Sequence, residues 1–259
     1  MSTINAWFCK WLGLVPMVIM AIFIGKSCAA QTLRVAHDQQ FPPFASVEQG
    51  KSQGLAVDIL EAAAKRAGIK ISFVPVPFKE MMPTVEKGNA DAVFPIAITE
   101  QRRATYDFSA PLLPTGGALF VLAPRKTPDG LSALAGKTVT TPKTGPLAGD
   151  IKKNAPEVNL VVTANYEESL NQLVSGKADA AALNFQVGTV LAAKLHPGKI
   201  TAPDKFFLEL PLALAVPKGK SAQLLKKLDE GISAIKADGT WAAINKKWLG
   251  EGATGSMKQ

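Results

Sequence analysis

The spacing of apolar residues in the first half of the chain follows two periods. Leu55, Ile59 and Ala63 fall on one face of a helix that Gly68 ends. The segment 69–77 instead alternates and is rich in β-branched residues, as is typical of a strand. The predicted elements are strands at 32–38, 69–77 and 90–98 and helices at 54–68 and 78–88, with Pro83 in the first turn of the second helix. The prolines at 41–44 exclude regular structure there. This order indicates an α/β fold with a mostly parallel sheet.

The second half of the chain repeats the alternation. It predicts strands at 136–142, 158–164 and 178–184 and helices at 146–154 and 166–176. One pattern recurs closely, since both 85–94 and 173–182 contain a helix-ending glycine followed by Ala-Asp-Ala and a strand. The recurrence indicates two similar lobes, although a common turn between helix and strand would look the same.

Two long apolar strands, at 115–124 and 208–219, lie outside the repeats and flank the second one. If the first leads to the second lobe and the other returns, lobe 1 comprises 31–116 plus 212–259 and lobe 2 comprises 117–211. The segment 221–250 predicts two helices, broken at Asp238-Gly239, that pack on lobe 1. Two lobes joined by two crossing strands form a cleft, and a closing cleft is a typical ligand site.

The first 30 residues form a separate segment. Lys10 precedes an apolar run at 11–25, which is shorter than the roughly 20 residues of a membrane span. Small residues follow, so we expect a signal peptide cleaved after Ala30 and a soluble, exported product. An uncleaved N-terminal anchor and a lipoprotein modified at Cys28 are the alternatives.

Composition narrows the possible functions. The chain has 259 residues, a formal charge of +8 and no basic block, so nucleic-acid binding is not expected. Both cysteines, Cys9 and Cys28, lie in the leader, which leaves the mature chain without a disulfide or a thiol nucleophile. With only two histidines, a metal site is also not expected. We therefore expect no thiol catalysis and no cofactor, and we predict a binding protein rather than an enzyme.

Several segments together resemble the family-3 periplasmic solute-binding proteins that serve polar amino-acid ABC transporters. The segments that carry the resemblance are LRVAHDQQFPPF, GLAVDILEAAAKRAG, VPVPFKEMMPTVEKGNADAVF, ITEQRRATYDFSAPLL, LVSGKADAAAL and DGTWAAINKKWLG. The resemblance implies a type II periplasmic-binding fold that closes on one small molecule. It also implies a monomer in the periplasm that delivers an amino acid or a related small carboxylate to a membrane permease.

Arg102 is the sharpest candidate for a ligand contact. A guanidinium binds a carboxylate bidentately, and the resemblance implies that the arginine at this position holds the ligand carboxylate. Thr99 is expected to cap the turn that carries it. The alternative is a surface arginine paired with Glu100 or Asp107. Arg103 is expected to be solvated.

Three further residues match positions that line the pocket in the family. Asp38 ends the first strand and could accept from a ligand donor, and Phe41 and Phe78 could enclose the ligand's aliphatic part. Plain packing is the alternative for each aromatic ring. His37 is expected to be an exposed residue at the strand end.

Thr144 and Gly145 precede Pro146 at a predicted helix start. Free N–H groups there could hold a carboxylate from the second lobe. The family usually has its glycine and small hydroxyl residue one step along, so the register is open. Lys143 could add a charge, although a loop lysine is usually solvated.

The chain departs from the family where an ammonium group is commonly held. The matching positions are Asn184, Pro95 and Ala97, which lack a charge, an N–H and a hydroxyl acceptor respectively. Our hypothesis is that Arg102 still binds a carboxylate while the other end of the ligand needs no ammonium group. An ammonium met by Asp38 or by water is the alternative.

Two other classes of function stay open. Some proteins of this fold are cyclohexadienyl dehydratases, and such chemistry needs a general acid or base, for which Asp38 and Glu80 are the candidates. A sensory or scavenging binder would have the same sequence features as a transport protein.

Overall fold

The computed structural model describes residues 32–249, so the predicted signal peptide lies outside the described residues. The strands are β1 Leu33–Asp38, β2 Gln40–Phe41, β3 Ala45–Glu48, β4 Lys51–Gln53, β5 Ile71–Val76, β6 Ala92–Ala97, β7 Tyr106–Phe108, β8 Gly116–Leu122, β9 Thr138–Pro142, β10 Asn159–Thr163, β11 Ala180–Asn184, β12 Ile200–Thr201, β13 Leu208–Glu209 and β14 Leu212–Pro217. The helices are α1 Leu55–Arg66, α2 Met81–Glu86, α3 Glu100–Arg103, α4 Leu147–Asn154, α5 Tyr166–Val174, α6 Phe185–Leu195, α7 Ala222–Ala237 and α8 Thr240–Leu249, with 3₁₀ turns at Phe78–Glu80 and Leu131–Leu134.

Two mixed sheets share one topology. The first has the strand order β5-β1-β6-β14-β7, and the second has the order β10-β9-β11-β8-β12. In each sheet three parallel strands are followed by an antiparallel one, which is β14 in the first sheet and β8 in the second. The chain crosses between the sheets after β7 and returns after β13. The predicted α/β fold, with two lobes joined by two crossing segments, is confirmed.

The recurring Ala-Asp-Ala pattern has the same structure in both lobes. Gly88 and Gly176 follow their helices with φ angles of 76° and 75°, a left-handed conformation that favours glycine. The carboxylate of Asp91 accepts from the Arg34 backbone N–H at 2.9 Å, and that of Asp179 accepts from the Thr138 N–H at 2.9 Å. Each aspartate thus fixes the start of one parallel strand to its neighbour, and the two lobes are structural repeats.

The carboxyl-terminal helices cover the first sheet together with α1. Gly231 of α7 allows close contact with α1, because a Cβ at this position would lie 2.2 Å from the carbonyl oxygen of Ala63. Asp58 of α1 accepts from Lys247 Nζ at 2.7 Å and from Trp248 Nε1 at 2.8 Å, both on α8. The prediction that these helices pack on lobe 1 is confirmed.

Three predictions for the elements were wrong or incomplete. The single strand predicted at 208–219 is divided, since β13 pairs with β8 in the second sheet and β14 joins the first. Pro211, which has no N–H, stands at the division. The segment around the prolines at 41–44 contributes to a small antiparallel sheet of β2, β3 and β4, and α6 was not predicted.

Within residues 32–249 no helix is long and apolar enough to cross a membrane.

Candidate functional site

A cavity of about 680 Å³ lies between the two sheets. It is lined by every residue that the sequence predicted for the site, namely Asp38, Phe41, Phe78, Pro95, Ala97, Arg102, Thr144, Gly145 and Asn184. Asp38 ends β1, Ala97 ends β6 and Asn184 ends β11, while the others follow a parallel strand closely or belong to it. Ligands of open α/β sheets bind outside the carboxyl ends of parallel strands, and the cavity lies where two such sheets face each other.

Arg102 is a half-buried cation that lines this cavity. Thr99 caps its turn as predicted, since its Oγ1 accepts from the Arg102 backbone N–H at 3.3 Å. Nη1 of Arg102 donates to the carbonyl oxygen of Ala97 at 2.8 Å, which aims the guanidinium back along β6. The pairing with Glu100 or Asp107 is absent among residues 32–249, and burial lowers the Arg102 pKa.

Arg103, unlike Arg102, is exposed and lies outside the cavity. Its Nε lies 3.7 Å from Glu100 Oε1, and its guanidinium carbon lies 5.7 Å from the centre of the Phe108 ring. The prediction that Arg103 is solvated is therefore confirmed, and Arg103 does not line the cavity.

Asp38 and Tyr166 face the cavity from opposite lobes. Asp38 Oδ1 accepts from the Gln40 backbone N–H at 3.0 Å, and burial raises the pKa of its carboxyl group. Burial, and then the charge of Asp38, raise the pKa of the Tyr166 hydroxyl. Tyr166 therefore remains a neutral hydrogen-bond donor near the one acidic side chain that lines the cavity in the described part of the chain.

Asn184 is held in place by the first turn of α6 and by the segment that leads from the first lobe into β8. Its Oδ1 accepts from the Val187 N–H at 3.2 Å, which caps α6, and its Nδ2 donates to Thr115 Oγ1 at 2.8 Å. Gln186 completes this network, since its Oε1 accepts from the Thr115 hydroxyl and its Nε2 donates to the carbonyl oxygen of Pro114 at 3.0 Å. Asn184 is 8% exposed, so it forms a rigid part of the cavity wall.

The second lobe contributes the start of α4. Thr144 and Gly145 line the cavity as predicted, and Gly145 has a φ of 87°, which favours glycine. Pro146 precedes the helix as its cap, and no side chain caps the free N–H groups of the first turn. Lys143 lines the cavity and is exposed.

His37 is the one residue near the site whose environment was predicted wrongly. It is fully buried rather than exposed. Its Nδ1 lies 2.9 Å from the carbonyl oxygen of Asp38, which can only accept, so Nδ1 donates and Nε2 accepts from Ser52 Oγ at 2.7 Å. Burial lowers the His37 pKa. The small sheet that sequence reasoning missed supplies Ser52 and covers the histidine.

Several cavity residues were missed by sequence reasoning. The larger ones are Lys79, Leu147, Tyr166, Leu210 and Leu212. The internal repeat could have revealed Tyr166, because Phe78 and Tyr166 are 88 residues apart, the same spacing as the two Ala-Asp-Ala patterns at Ala90 and Ala178. Phe78 begins the 3₁₀ turn after the edge strand β5, and Tyr166 begins α5 after the edge strand β10.

No cluster of three or more potential metal ligands occurs among residues 32–249.

Comparison with known proteins identifies the relatives of this chain. The family model of the bacterial extracellular solute-binding proteins, family 3, matches residues 33–251. The ABC transporter glutamine-binding protein GlnH of Bacillus subtilis is 30% identical, over 78% of this chain and 74% of that protein.

Three solved structures are similar along 84–85% of the chain. An ancestral arginine-binding protein bound to glutamine has a TM-score of 0.69 at 32% identity and is covered over 98% of its length. A histidine kinase sensor domain with similarity to periplasmic binding proteins has a TM-score of 0.73 at 25% identity and 96% coverage. An ancestral amino-acid-binding protein, a precursor of cyclohexadienyl dehydratase, has a TM-score of 0.70 at 26% identity and 95% coverage.

Proposed function

Because the chain belongs to the bacterial extracellular solute-binding proteins of family 3, we propose that it is the periplasmic substrate-binding protein of an ABC importer. Its ligand is an amino acid or a related small carboxylate, and Arg102 clamps the carboxylate in the cavity. The lobes that close on the ligand are 31–116 with 212–259, and 117–211. The protein acts as a monomer that is exported by the signal peptide and delivers its ligand to a membrane permease.

The observation that carries this proposal is the environment of Arg102. A half-buried cation is normally paired, because removing a charge from water is unfavourable unless an opposite charge replaces the lost hydration. Among residues 32–249 no carboxylate pairs with this guanidinium. It donates one hydrogen bond, to the carbonyl oxygen of Ala97, so its other N–H donors are available to a ligand. A bound carboxylate would supply the missing charge and accept two parallel hydrogen bonds.

Residues of the second lobe support closure over the same anion. Thr144, Gly145 and the start of α4 present backbone N–H groups and the positive end of a helix dipole to the cavity. Because Arg102 belongs to the other lobe, one anionic ligand would bridge the two, which is how a ligand stabilises a closed cleft.

The clamp is tested by titration calorimetry on wild-type protein and on the variant Arg102→Gln. A ligand is first found by thermal-shift screening of amino acids and small organic acids, since a bound ligand raises the melting temperature. Charge-assisted hydrogen bonds contribute about 1.5–3 kcal/mol each, so we expect Arg102→Gln to weaken binding by at least about 10-fold.

Arg103→Gln is the matched control, because it removes the same group one residue away and outside the cavity. We expect its affinity to stay within about threefold of wild type. If the two variants lost affinity equally, general electrostatic attraction would explain the loss, and the clamp would be wrong.

Two alternatives have an observation in their favour. The dehydratase precursor among the similar structures, together with the raised pKa of Asp38, favours a cleft enzyme, which turnover of prephenate or arogenate by the purified protein would reveal. The similar sensor domain favours a sensory binder. Ligand-dependent stimulation of a permease–ATPase complex in vesicles separates import from sensing.

A further inference from the structure

Among its described lining residues the cavity has three basic side chains, Lys79, Arg102 and Lys143, and one acidic side chain, Asp38. We infer that the preferred ligand is a carboxylic acid that has an apolar body and lacks an α-ammonium group, such as the 2-oxo acid corresponding to an aromatic or branched amino acid. This inference rests on the proposed carboxylate clamp and deepens it.

Two of the acceptors at the positions that match the family's ammonium subsite already accept a hydrogen bond from the protein. The carbonyl oxygen of Ala97 accepts from the guanidinium itself, and Oδ1 of Asn184 accepts from the first turn of α6. An ammonium group carries three donors, and each buried donor without a partner is unfavourable. Neither of these positions provides the negative charge that would compensate a buried ammonium.

Asn184 is also unable to turn toward a ligand without breaking the hydrogen bonds that fix its side chain. Rotating the amide would break the bond to Thr115 and the cap of α6 at once. Since Thr115 is itself bonded to Gln186, the loss would spread through a buried network. The amide is therefore a fixed part of the wall.

Asp38 is the remaining acidic group in the cavity, and its setting does not favour an ammonium. It faces Tyr166, and one carboxylate oxygen is bonded to the Gln40 N–H. Lys79, Arg102 and Lys143 line the same cavity, so basic side chains outnumber the acidic one among the described lining residues. A ligand with a net negative charge matches this balance, whereas a zwitterion does not.

The donors and the apolar surface define the rest of the ligand. Arg102 has free N–H groups, and the start of α4 presents backbone N–H groups, which suit a carboxylate and an adjacent keto oxygen that only accepts. Most of the remaining wall is apolar, formed by Phe41, Phe78, Ile96, Leu147, Leu210 and Leu212. An aromatic or branched body would bury its surface there.

The test compares matched pairs by titration calorimetry on the mature protein. The pairs are phenylpyruvate with L-phenylalanine and 4-methyl-2-oxopentanoate with L-leucine, and L-glutamine is a reference. We expect at least one 2-oxo acid to bind 10-fold or more tightly than its amino acid, and Arg102→Gln to weaken binding of that 2-oxo acid by at least about 10-fold.

Two variants make the test specific. Asn184→Asp keeps the size and the helix-capping oxygen and exchanges the N–H donor to Thr115 for a negatively charged oxygen, so we expect it to shift the preference toward the amino acid of the pair. Its melting curve, compared with that of wild type, shows that the variant is folded. Asp38→Asn should not weaken binding of the amino acid of the pair, because Asp38 holds no ammonium group. A loss of amino-acid affinity in Asp38→Asn would show that Asp38 holds the ammonium group and would overturn the inference.

The outcomes separate this inference from the proposed function. Tight binding of an amino acid, lost in Arg102→Gln, with weak binding of its 2-oxo acid would overturn the inference and leave the clamp intact. Binding of a 2-oxo acid that Arg102→Gln does not weaken would overturn the clamp, and the inference with it. Binding of no member of either pair would also overturn the inference.

Discussion

The contact between α7 and α1 allows a sharp test of the packing of the first lobe. The change is Gly231→Ala in the middle of α7. Helix propensity alone predicts a gain of about 0.8–1 kcal/mol, because glycine is a poor helix former. In the structure, however, the new Cβ would lie 2.2 Å from Ala63 O and 3.2 Å from Ala67 Cβ, so α7 must move away from α1.

Overpacking typically costs about 1–3 kcal/mol, and we expect the upper part of this range, about 2–3 kcal/mol, because a backbone oxygen cannot rotate aside as a side chain can. After the gain in propensity, we expect a net loss of about 1–2 kcal/mol in the free energy of unfolding. For a domain of this size that corresponds to a melting temperature lower by roughly 2–8 °C. Urea unfolding and differential scanning calorimetry measure the two quantities.

The matched control is Gly149→Ala in α4, where a Cβ would meet nothing within 4 Å. Here propensity acts alone, and stability should rise by up to about 1 kcal/mol. Opposite signs for the two substitutions support the close contact between α1 and α7. If Gly231→Ala stabilises the protein as Gly149→Ala does, the proposed steric reasoning is refuted.

Three further predictions follow from the site. Without ligand, Arg102→Gln should have a melting temperature no more than about 3 °C below that of wild type, and it could be higher. The substitution removes a hydrogen bond of about 1 kcal/mol, but it also removes a half-buried cation. A melting temperature lower by more than about 6 °C in calorimetry would contradict this prediction. Because burial lowers the His37 pKa, the unfolded chain binds a proton first as the pH falls below about 6.5, so wild type should lose stability from pH 7 to 5 in urea titrations. His37→Asn should lose less over this interval than wild type or the control His196→Asn, and equal slopes would exclude His37 as the cause. Thr99→Ala removes the side chain that caps the turn carrying Arg102. We expect this variant to bind the ligand about two- to fivefold more weakly in calorimetry, a smaller loss than that expected for Arg102→Gln. Unchanged affinity would show that the cap does not position the arginine.

The elements that could be predicted from sequence are those whose own residues decide their structure. The segment 54–68 has its apolar face and its terminal glycine within itself, and α1 forms there. The Ala-Asp-Ala repeats likewise carry their turn and their anchoring carboxylate. Most candidate site residues were predicted from the resemblance to the solute-binding family, and they lie in one cavity because the carboxyl ends of parallel strands meet at one edge of a sheet.

Features that depend on distant partners could not be predicted. The segment 208–219 is apolar throughout, and its division became evident only from its pairing with β8 on one side of Pro211 and with β6 on the other. The burial of His37 depends on Ser52, which arrives on a hairpin that the prolines had seemed to exclude. The ligand contacts of the cavity residues stay a prediction.

The position of β14 between β6 and β7 also governs the order in which the protein can fold. Most of the second sheet comes from one continuous stretch, 116–209, and can assemble as soon as that stretch is available. The first sheet has a gap until the strand at 212–217 arrives, after the entire second lobe has passed. We therefore expect a chain shortened before this strand to retain a folded second lobe beside an unfolded amino-terminal half, and the binding cleft to form only after the second lobe has folded.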